Sequence, residues 1–232
     1  KMGPDPASIA SCMMGGILAN NSSGMCCGVA QNSYHTLASL TFVLANGLVI
    51  DTAATDADAR FHAGAPELAA GLTRLKRTIE GDPALVARIR AKYRAKNTTG
   101  YALNAFLDHG RAVEIFRHLL IGSEGTLAFI AEAVLNTVPD LPAKRTGMLY
   151  FPSIQAAAEA IAPLAAAGAA AIEIMDRAAL RSVEAQKGAP ALLATLGPAA
   201  AALLVEFHGR DAAEAEAGLA RATPALFDLA LV

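Results

Sequence analysis

What this chain of 232 residues lacks already narrows what it can do. It has no basic surplus: 19 Lys and Arg against 21 Asp and Glu give a formal net charge of −2. That argues against nucleic acid or an acidic membrane as a general partner, since both call for a strongly basic face. Only three cysteines occur, Cys12, Cys26 and Cys27, an odd number without CxxC spacing. They read as reduced thiols in a cytosolic compartment and leave no structural zinc site. The five histidines, His35, His62, His109, His118 and His208, stand singly, with no HExxH or HxH spacing for a metal, and no Ser or Cys elbow marks a nucleophile. The longest apolar tracts, 156–172 and 189–205, are mostly alanine and are broken by Glu159, Pro163 and Gly168 in one case and by Gly197-Pro198 in the other. Neither is a membrane span. No signal peptide is readable ahead of Gly3, and the start reads as internal.

What remains is a globular chain, 54% hydrophobic and 17% charged, large enough for one big domain or two small ones. Its organising stretch runs from Gly3 to Thr36 and contains no Lys or Arg: GPDPASIASCMMGGILANNSSGMCCGVAQNSYHT. Pro4 and Pro6 stiffen the opening turn, Gly15-Gly16 remove side chains where a ligand must reach the main chain, and Asn20, Asn21, Ser22, Ser23 and Gly24 offer amide and hydroxyl groups. A phosphate held here would be held by main-chain N–H groups and neutral side chains rather than by ion pairs. A second glycine-bearing stretch, IGSEGTLAFI, follows at Ile121–Ile130, where Gly122 and Gly125 permit a tight turn around Ser123 and Glu124. A carboxylate beside phosphate is repulsive, so Glu124 is expected to accept from N–H or hydroxyl groups instead. Either stretch alone also reads as an ordinary Gly/Asn turn.

Taken in order, the PDP-x-S opening, the GG-x-x-A-N-N-x-x-G run, the Thr after a Tyr, the intervening NTTGY and the GSEGTL followed by an aromatic and Ile resemble the FAD-binding domain of the vanillyl-alcohol-oxidase type. Within it the likeness is to the D-lactate, glycolate and D-2-hydroxyglutarate dehydrogenase branch. The resemblance covers nearly the whole chain and implies FAD as cofactor. It implies cofactor contacts from Pro4, Asp5, Pro6, Ser8, Gly15, Gly16, Asn20, Asn21, Gly24, Gly28, Tyr34 and Thr36 in the first stretch. From the second it implies Gly122, Glu124, Gly125, Thr126 and Ile130, along the adenine and ribose side. Ala128 departs from the family, which usually has Gly after GTL. The resemblance also implies that a glycine-rich phosphate-binding subdomain precedes this chain and that the metal-binding and proton-abstracting histidines follow it, so no catalytic residue or metal ligand is assigned here.

The intervening elements follow from periodicity and turn chemistry. Leu40–Leu44 and Leu48–Asp51 flank Asn46-Gly47 and predict an antiparallel hairpin that holds Tyr34-His35-Thr36 in place. Glu67, Leu68, Leu72 and Leu75 fit one helix, Asp82-Pro83 start another with a Leu85, Ile89, Tyr93 seam, and a third spans Arg111–Leu120. The basic run Arg88, Arg90, Lys92, Arg94 and Lys96 reads as a solvated surface or as a device steering an anionic substrate. A strand is expected at Leu127–Val138 and a domain boundary at Pro139–Arg145. Beyond it come a strand at Met148–Phe151, a helix at Ile154–Ala166 capped by Ser153, a strand at Ala171–Met175, a helix at Asp176–Gln186, a strand at Leu203–Phe207, a helix at Asp211–Ala222 and a strand at Phe227–Val232. The expected class is therefore α+β: residues 1–140 form the second FAD-binding subdomain, with antiparallel sheet and helices, and 145–232 the first part of a ferredoxin-like cap domain.

The expected activity is FAD-dependent oxidation of a small D-2-hydroxy acid, such as D-lactate or glycolate, to the 2-oxo acid, with electrons leaving to a cytochrome, a quinone or an electron-transfer flavoprotein. Another oxidase of the same fold, acting on an alcohol or sugar lactone, and a non-catalytic flavin-binding subunit stand as alternatives. The expected location is cytoplasmic, with a peripheral place at the inner membrane and a homodimer both left open.

Overall fold

The computed structural model describes residues 1–226, and the chain divides into two compact units, Lys1–Pro139 and Asp140–Val232. The first unit opens with irregular turns and helix α1 (Met14–Asn20), then α2 (Ser33–Thr36), β1 (Leu37–Val43) and β2 (Val49–Asp51). Four helices follow, α3 (Ala57–Gly64), α4 (Pro66–Glu80), α5 (Pro83–Lys92) and the short α6 (Ala105–Asp108), then α7 (Ala112–Leu120) and β3 (Phe129–Leu135). The sheet order is β2-β1-β3, antiparallel throughout.

The Asn46-Gly47 hairpin forms as expected: Gly47 takes φ 83°, and the Leu48 N–H donates to Asn46 Oδ1 at 3.0 Å. Strand β1 begins at Leu37, three residues before the expected Leu40, because Leu37 is already in register with Leu135 of β3. Strand β3 in turn is shorter than the expected Leu127–Val138 and forms only where β1 lies beside it. Asp82 caps α5 as expected, its Oδ1 accepting from the N–H groups of Ala84 and Leu85. Helix α4 corrects one reading: Leu75 is 51% exposed, and the buried stripe is Ala69, Leu72 and Ile79, since helix α7 packs on that side.

The core of this unit is built on three phenylalanines from three different elements. Phe42 of β1, Phe61 of α3 and Phe116 of α7 are 2% exposed or less, with ring centroids 5.0–5.9 Å apart. Ile50, Leu40, Ile115, Leu120 and Ile121 close around them. Ile121, the last of these, leads directly into the second glycine stretch, so the hydrophobic core fixes where that loop starts.

In the second unit β4 (Ala143–Phe151), α8 (Ile154–Ala166), β5 (Ala171–Met175), α9 (Arg177–Val183), a 3-10 turn at Ala191–Thr195, β6 (Ala201–Gly209) and α10 (Ala212–Leu226) follow one another. The sheet order is β4-β6-β5, with β6 antiparallel to both neighbours. Two parallel strands joined through a helix, with a later antiparallel strand inserted between them, are the split βαβ arrangement of a ferredoxin-like sandwich. Ser153 and Asp176 cap α8 and α9 through the N–H groups of Ala156 and Ala179. Strands β4 and β6 are longer than expected because each extends the other, pairing from Ala143↔Gly209 to Phe151↔Ala201. The strand expected at Phe227–Val232 lies outside the described residues. The α+β class expected from the sequence is the class observed.

Because Phe116 fills the space between β1 and α3 with no polar atom to relax around, Phe116→Ala is expected to cost about 3–5 kcal/mol of stability of the first unit. A urea melt followed by the near-ultraviolet signal checks it; a loss under about 1 kcal/mol would mean the core collapses around the gap.

Candidate functional site

The site begins at the C-terminus of α1. This seven-residue helix ends at Asn21, which takes the left-handed conformation (φ 52°, ψ 43°) and returns its N–H to the helix. The last carbonyls of α1 are then closed by a loop that follows about a hundred positions later in the chain. Gly122 N–H donates to Leu18 O at 3.0 Å and Glu124 N–H to Ala19 O at 2.8 Å. Asn20 Nδ2 donates to Glu124 Oε1 at 2.7 Å, which is the role expected of that carboxylate. The loop needs three left-handed residues, Gly122 (φ 85°), Glu124 (φ 53°) and Gly125 (φ 71°). Glycine does this freely, whereas at Glu124 the cost is about 1–2 kcal/mol. The two bonds to α1 and Asn20 hold it there. Thr126 Oγ1 donates to Ser123 O at 2.6 Å, so in the 2.8 Å contact between Thr126 and Tyr101 the Tyr101 hydroxyl is the donor.

The opening turn is tied to the same place. Gly24 N–H donates to Pro4 O at 2.8 Å, and Gly24 lies so close to Asp5 that a Cβ there would stand 1.6 Å from the Asp5 carbonyl oxygen. The stretch has no Lys or Arg of its own, but Lys96, from the end of the basic run, lays its ammonium on Ser23 O at 2.6 Å and Gly24 O at 3.3 Å.

Two hollows open beside this junction. One, of about 260 Å³, is lined by Gly15 and Ala19 of α1 and by Gly125, Ala128, Phe129 and Ile130. A Cβ placed on Gly15 or on Gly125 would meet nothing within 4 Å, so these two glycines open onto space rather than onto protein. The other, of about 20 Å³, is polar and is bordered by Asn21, Asn32, Tyr34, Tyr93, Asn104 and Gly122 among others. The structure thus brings Gly15, Asn20, Asn21, Gly122, Glu124, Gly125, Thr126 and Ile130 to one junction, with Pro4, Asp5, Pro6 and Gly24 forming the turn next to it. The remaining assignments sit elsewhere. Gly16 faces open space on α1, Ser8 is exposed with its carbonyl accepting from Ser11 and Cys12, and Gly28 is an exposed left-handed turn residue. Thr36 is buried and spends its hydroxyl on Asn32 O at 2.8 Å.

Tyr34 is held deep in the unit, donating to Asp108 Oδ2 at 2.8 Å. Burial, with the Asp108 bond and charge behind it, raises its phenol pKa well above the ordinary value. Burial also pushes the Asp108 carboxyl up, but hydrogen bonds from Tyr34, Arg90 and Asn104 outweigh it and leave that pKa below the usual carboxylate value. The histidines are not all single, as the sequence suggests: His109 and His118 stack with centroids 3.8 Å apart, and Tyr34 meets His118 edge-on at 4.9 Å. His118 Nδ1 lies 2.8 Å from Glu114 O and 3.4 Å from Arg117 Nε. Asn32, Asn104, Asp108 and Lys96 are the participants that sequence reasoning passed over; only Lys96 carried a signal, as part of the basic run.

These residues suit a dinucleotide. Asn21 Oδ1, Ser23 Oγ and Ser123 Oγ are buried with no hydrogen-bond partner among the described residues, and the larger hollow joins the small residues Gly15, Ala19, Gly125 and Ala128 to the apolar side chains of Phe129 and Ile130. Residues 1–53 match the FAD binding domain family, and residues 141–231 match the family described as FAD linked oxidases, C-terminal domain. The chain therefore matches, in order, the FAD binding domain and the C-terminal domain of FAD-linked oxidases, and these matches indicate FAD as its cofactor. No curated protein sequence matches. Among solved structures, the chain is similar to an alkyldihydroxyacetonephosphate synthase in a P1 crystal, with a TM-score of 0.60 and 16% identity over 100% of this chain and 35% of that one. A second crystal form of such a synthase, P212121, gives 0.56 and 17% over 98% and 33%. The chain spans about a third of the length of these structures, and at this identity the likeness is one of fold.

Burial lowers the His118 pKa to about 4, with His109 and Arg117 adding to the effect. The unfolded chain, with histidine near 6.5, binds more protons between the two values. Stability is therefore complete above pH 6.5 and is expected to fall by up to about 3 kcal/mol as pH drops toward 4. Melts between pH 7 and 4 of the protein and of His118→Gln check this; equal acid sensitivity in the two would place its origin elsewhere.

Proposed function

We propose that the protein is an FAD-dependent oxidoreductase that oxidises a D-2-hydroxy acid such as D-lactate or glycolate to the 2-oxo acid, this chain supplying part of the FAD site. The observation that carries the reading is the seating of the 122–126 loop on the end of α1, with Gly15 and Gly125 facing the hollow between them. It is supported by the two FAD-linked oxidase domain matches and by the branch that the PDP-x-S, NTTGY and GSEGTL motifs resemble. When bound, FAD supplies the hydride acceptor. The chain's own share is to hold the cofactor with main-chain and neutral side-chain groups and to keep water from the hollow. In this reading residues 1–140 are the FAD-binding subdomain and 145–232 the first part of the substrate cap. The acceptor is a cytochrome, a quinone or an electron-transfer flavoprotein. The location is cytoplasmic or peripheral at the inner membrane; among the described residues no helix is long and apolar enough to cross a membrane. The likeness to alkyldihydroxyacetonephosphate synthases favours a second reading, a flavoprotein of the same fold with a different substrate class.

The chain by itself is expected not to oxidise a 2-hydroxy acid, whereas anaerobic addition of D-lactate, glycolate or D-2-hydroxyglutarate to the flavin-loaded whole protein, of whose FAD site this chain supplies part, is expected to bleach the flavin absorption. Retained colour with all three would turn the assignment toward the second reading. Gly15→Val is the cleaner probe of the hollow, because Gly15 is helical whereas Gly125 has a left-handed φ that strains any substitute. It is expected to weaken FAD binding at least about tenfold, roughly 1.4 kcal/mol, while the melting temperature without FAD stays unchanged. Equal FAD affinity in the variant would mean the hollow does not hold cofactor.

A further inference from the structure

Asn104 occupies the N-cap position of α6, where an asparagine ordinarily turns its side-chain oxygen onto the helix. Here no such bond forms. Its Nδ2 instead donates to Asp108 Oδ2 at 3.0 Å, and because an ionised carboxylate only accepts, this contact fixes which end of the amide is which. Asp108 is itself immobilised by Tyr34 at 2.8 Å and by Arg90, whose second guanidinium nitrogen reaches Leu107 O at 3.1 Å. The consequence is that Asn104 Oδ1 is turned away from its support. It belongs to a residue only 5% exposed and has no donor among the described residues. Across the small polar hollow stands Asn21, 7% exposed, whose Oδ1 is equally without a donor.

A buried carbonyl oxygen left without a donor costs about 1–3 kcal/mol, so two beside one hollow describe a place that awaits hydrogen-bond donors. The hollow's chemistry limits what these are. The pyrophosphate of a dinucleotide carries only acceptors and negative charge, and would be repelled by two carbonyl oxygens. A carboxylate is excluded for the same reason. At about 20 Å³ the hollow has room for little more than one water-sized group, so it takes a single N–H donor rather than a whole ring, and Tyr34 and Tyr93 border it. Asn21 also stands at the end of α1, the helix on which the 122–126 loop sits, so the hollow adjoins the junction already described.

We propose that Asn104 and Asn21 accept an N–H donor on the edge of one of the two rings of FAD, with Asn104 as a positioning residue preset by Asp108, Arg90 and Tyr34. The inference rests on the binding of FAD by this unit and adds to it the part of the cofactor these residues face. The adenine amino group and the flavin imide share the required chemistry, and fragments of the cofactor separate them.

The test is equilibrium titration of the purified protein, Asn104→Leu and Asn21→Gly with FAD, riboflavin and adenosine, together with melting temperatures without ligand. Glycine at position 21 keeps the left-handed backbone while removing the acceptor, so this variant carries the test should Asn104→Leu not fold. The expected result is a loss of FAD affinity of about five- to tenfold in either variant, the size of one hydrogen bond. The same loss should appear with adenosine if the adenine is the donor, or with riboflavin if the flavin is. Unchanged FAD affinity in folded variants, even with lowered melting temperature, overturns the proposal and leaves the asparagines structural. A loss with FAD but with neither fragment also overturns it, since the pyrophosphate would then be the group concerned. If the unsubstituted protein takes up no FAD, the binding reading itself falls, and the proposal with it.

Discussion

The first unit depends on how α1 is ended. Seven residues are too few for a helix to persist by itself in water, and α1 has neither a side-chain N-cap nor charged residues placed against its dipole. Two main-chain bonds, from Gly122 to Leu18 and from Glu124 to Ala19, supply what it lacks. They also convert two turn-like stretches, separated by about a hundred residues, into one surface with hollows on either side. The core behind this junction makes it possible, since Leu18, Leu120 and Ile121 are all buried in the cluster that contains the phenylalanine triad.

Around the junction the polar groups divide by role. Those that hold the fold are paired at short range: Thr36 with Asn32, Thr126 with Ser123, Tyr34 with Asp108, Lys96 with Ser23. The buried side-chain atoms without a partner among the described residues of this unit are Asn21 Oδ1, Ser23 Oγ, Ser123 Oγ and Asn104 Oδ1, together with Ser33 Oγ and His109 Nε2. A protein interior satisfies nearly all its polar groups, so such a grouping marks the part of the unit that is finished by something other than its own chain.

Much of this was legible in the sequence, and the reason differs by element. Caps at Asp82, Ser153 and Asp176 and the Asn46-Gly47 hairpin obey local rules, so a few residues decide them. Strand ends were misjudged at β1, β3, β4 and β6 because pairing partners, not propensity, set them. Leu75 was misplaced because apolar spacing alone does not say on which side α7 packs. The pairing of the two glycine stretches came only from a family resemblance; nothing in their spacing states that they meet. Arg90 stood in the basic run and His109 and His118 were singled out, but nothing in the sequence signalled the Asn104–Asp108–Arg90 support or the His109–His118 stack as contacts. Each joins side chains whose proximity is created by tertiary folding, and polar residues have no periodicity comparable to that of an apolar face.

The position of β6 has a consequence for how the second unit comes into being. Among the described residues, strands β4 and β5 have no hydrogen bonds to one another; each pairs with β6, which leaves the ribosome last of the three. At about 5–20 residues per second, β4 waits several seconds during synthesis with its ladder groups unmatched. In that interval Leu149, Tyr150 and Phe151 form a nascent strand edge open to association with other chains. The central strand is thus the timing element of the unit, and conditions that slow elongation between residues 151 and 209 would favour aggregation without altering the stability of the finished fold.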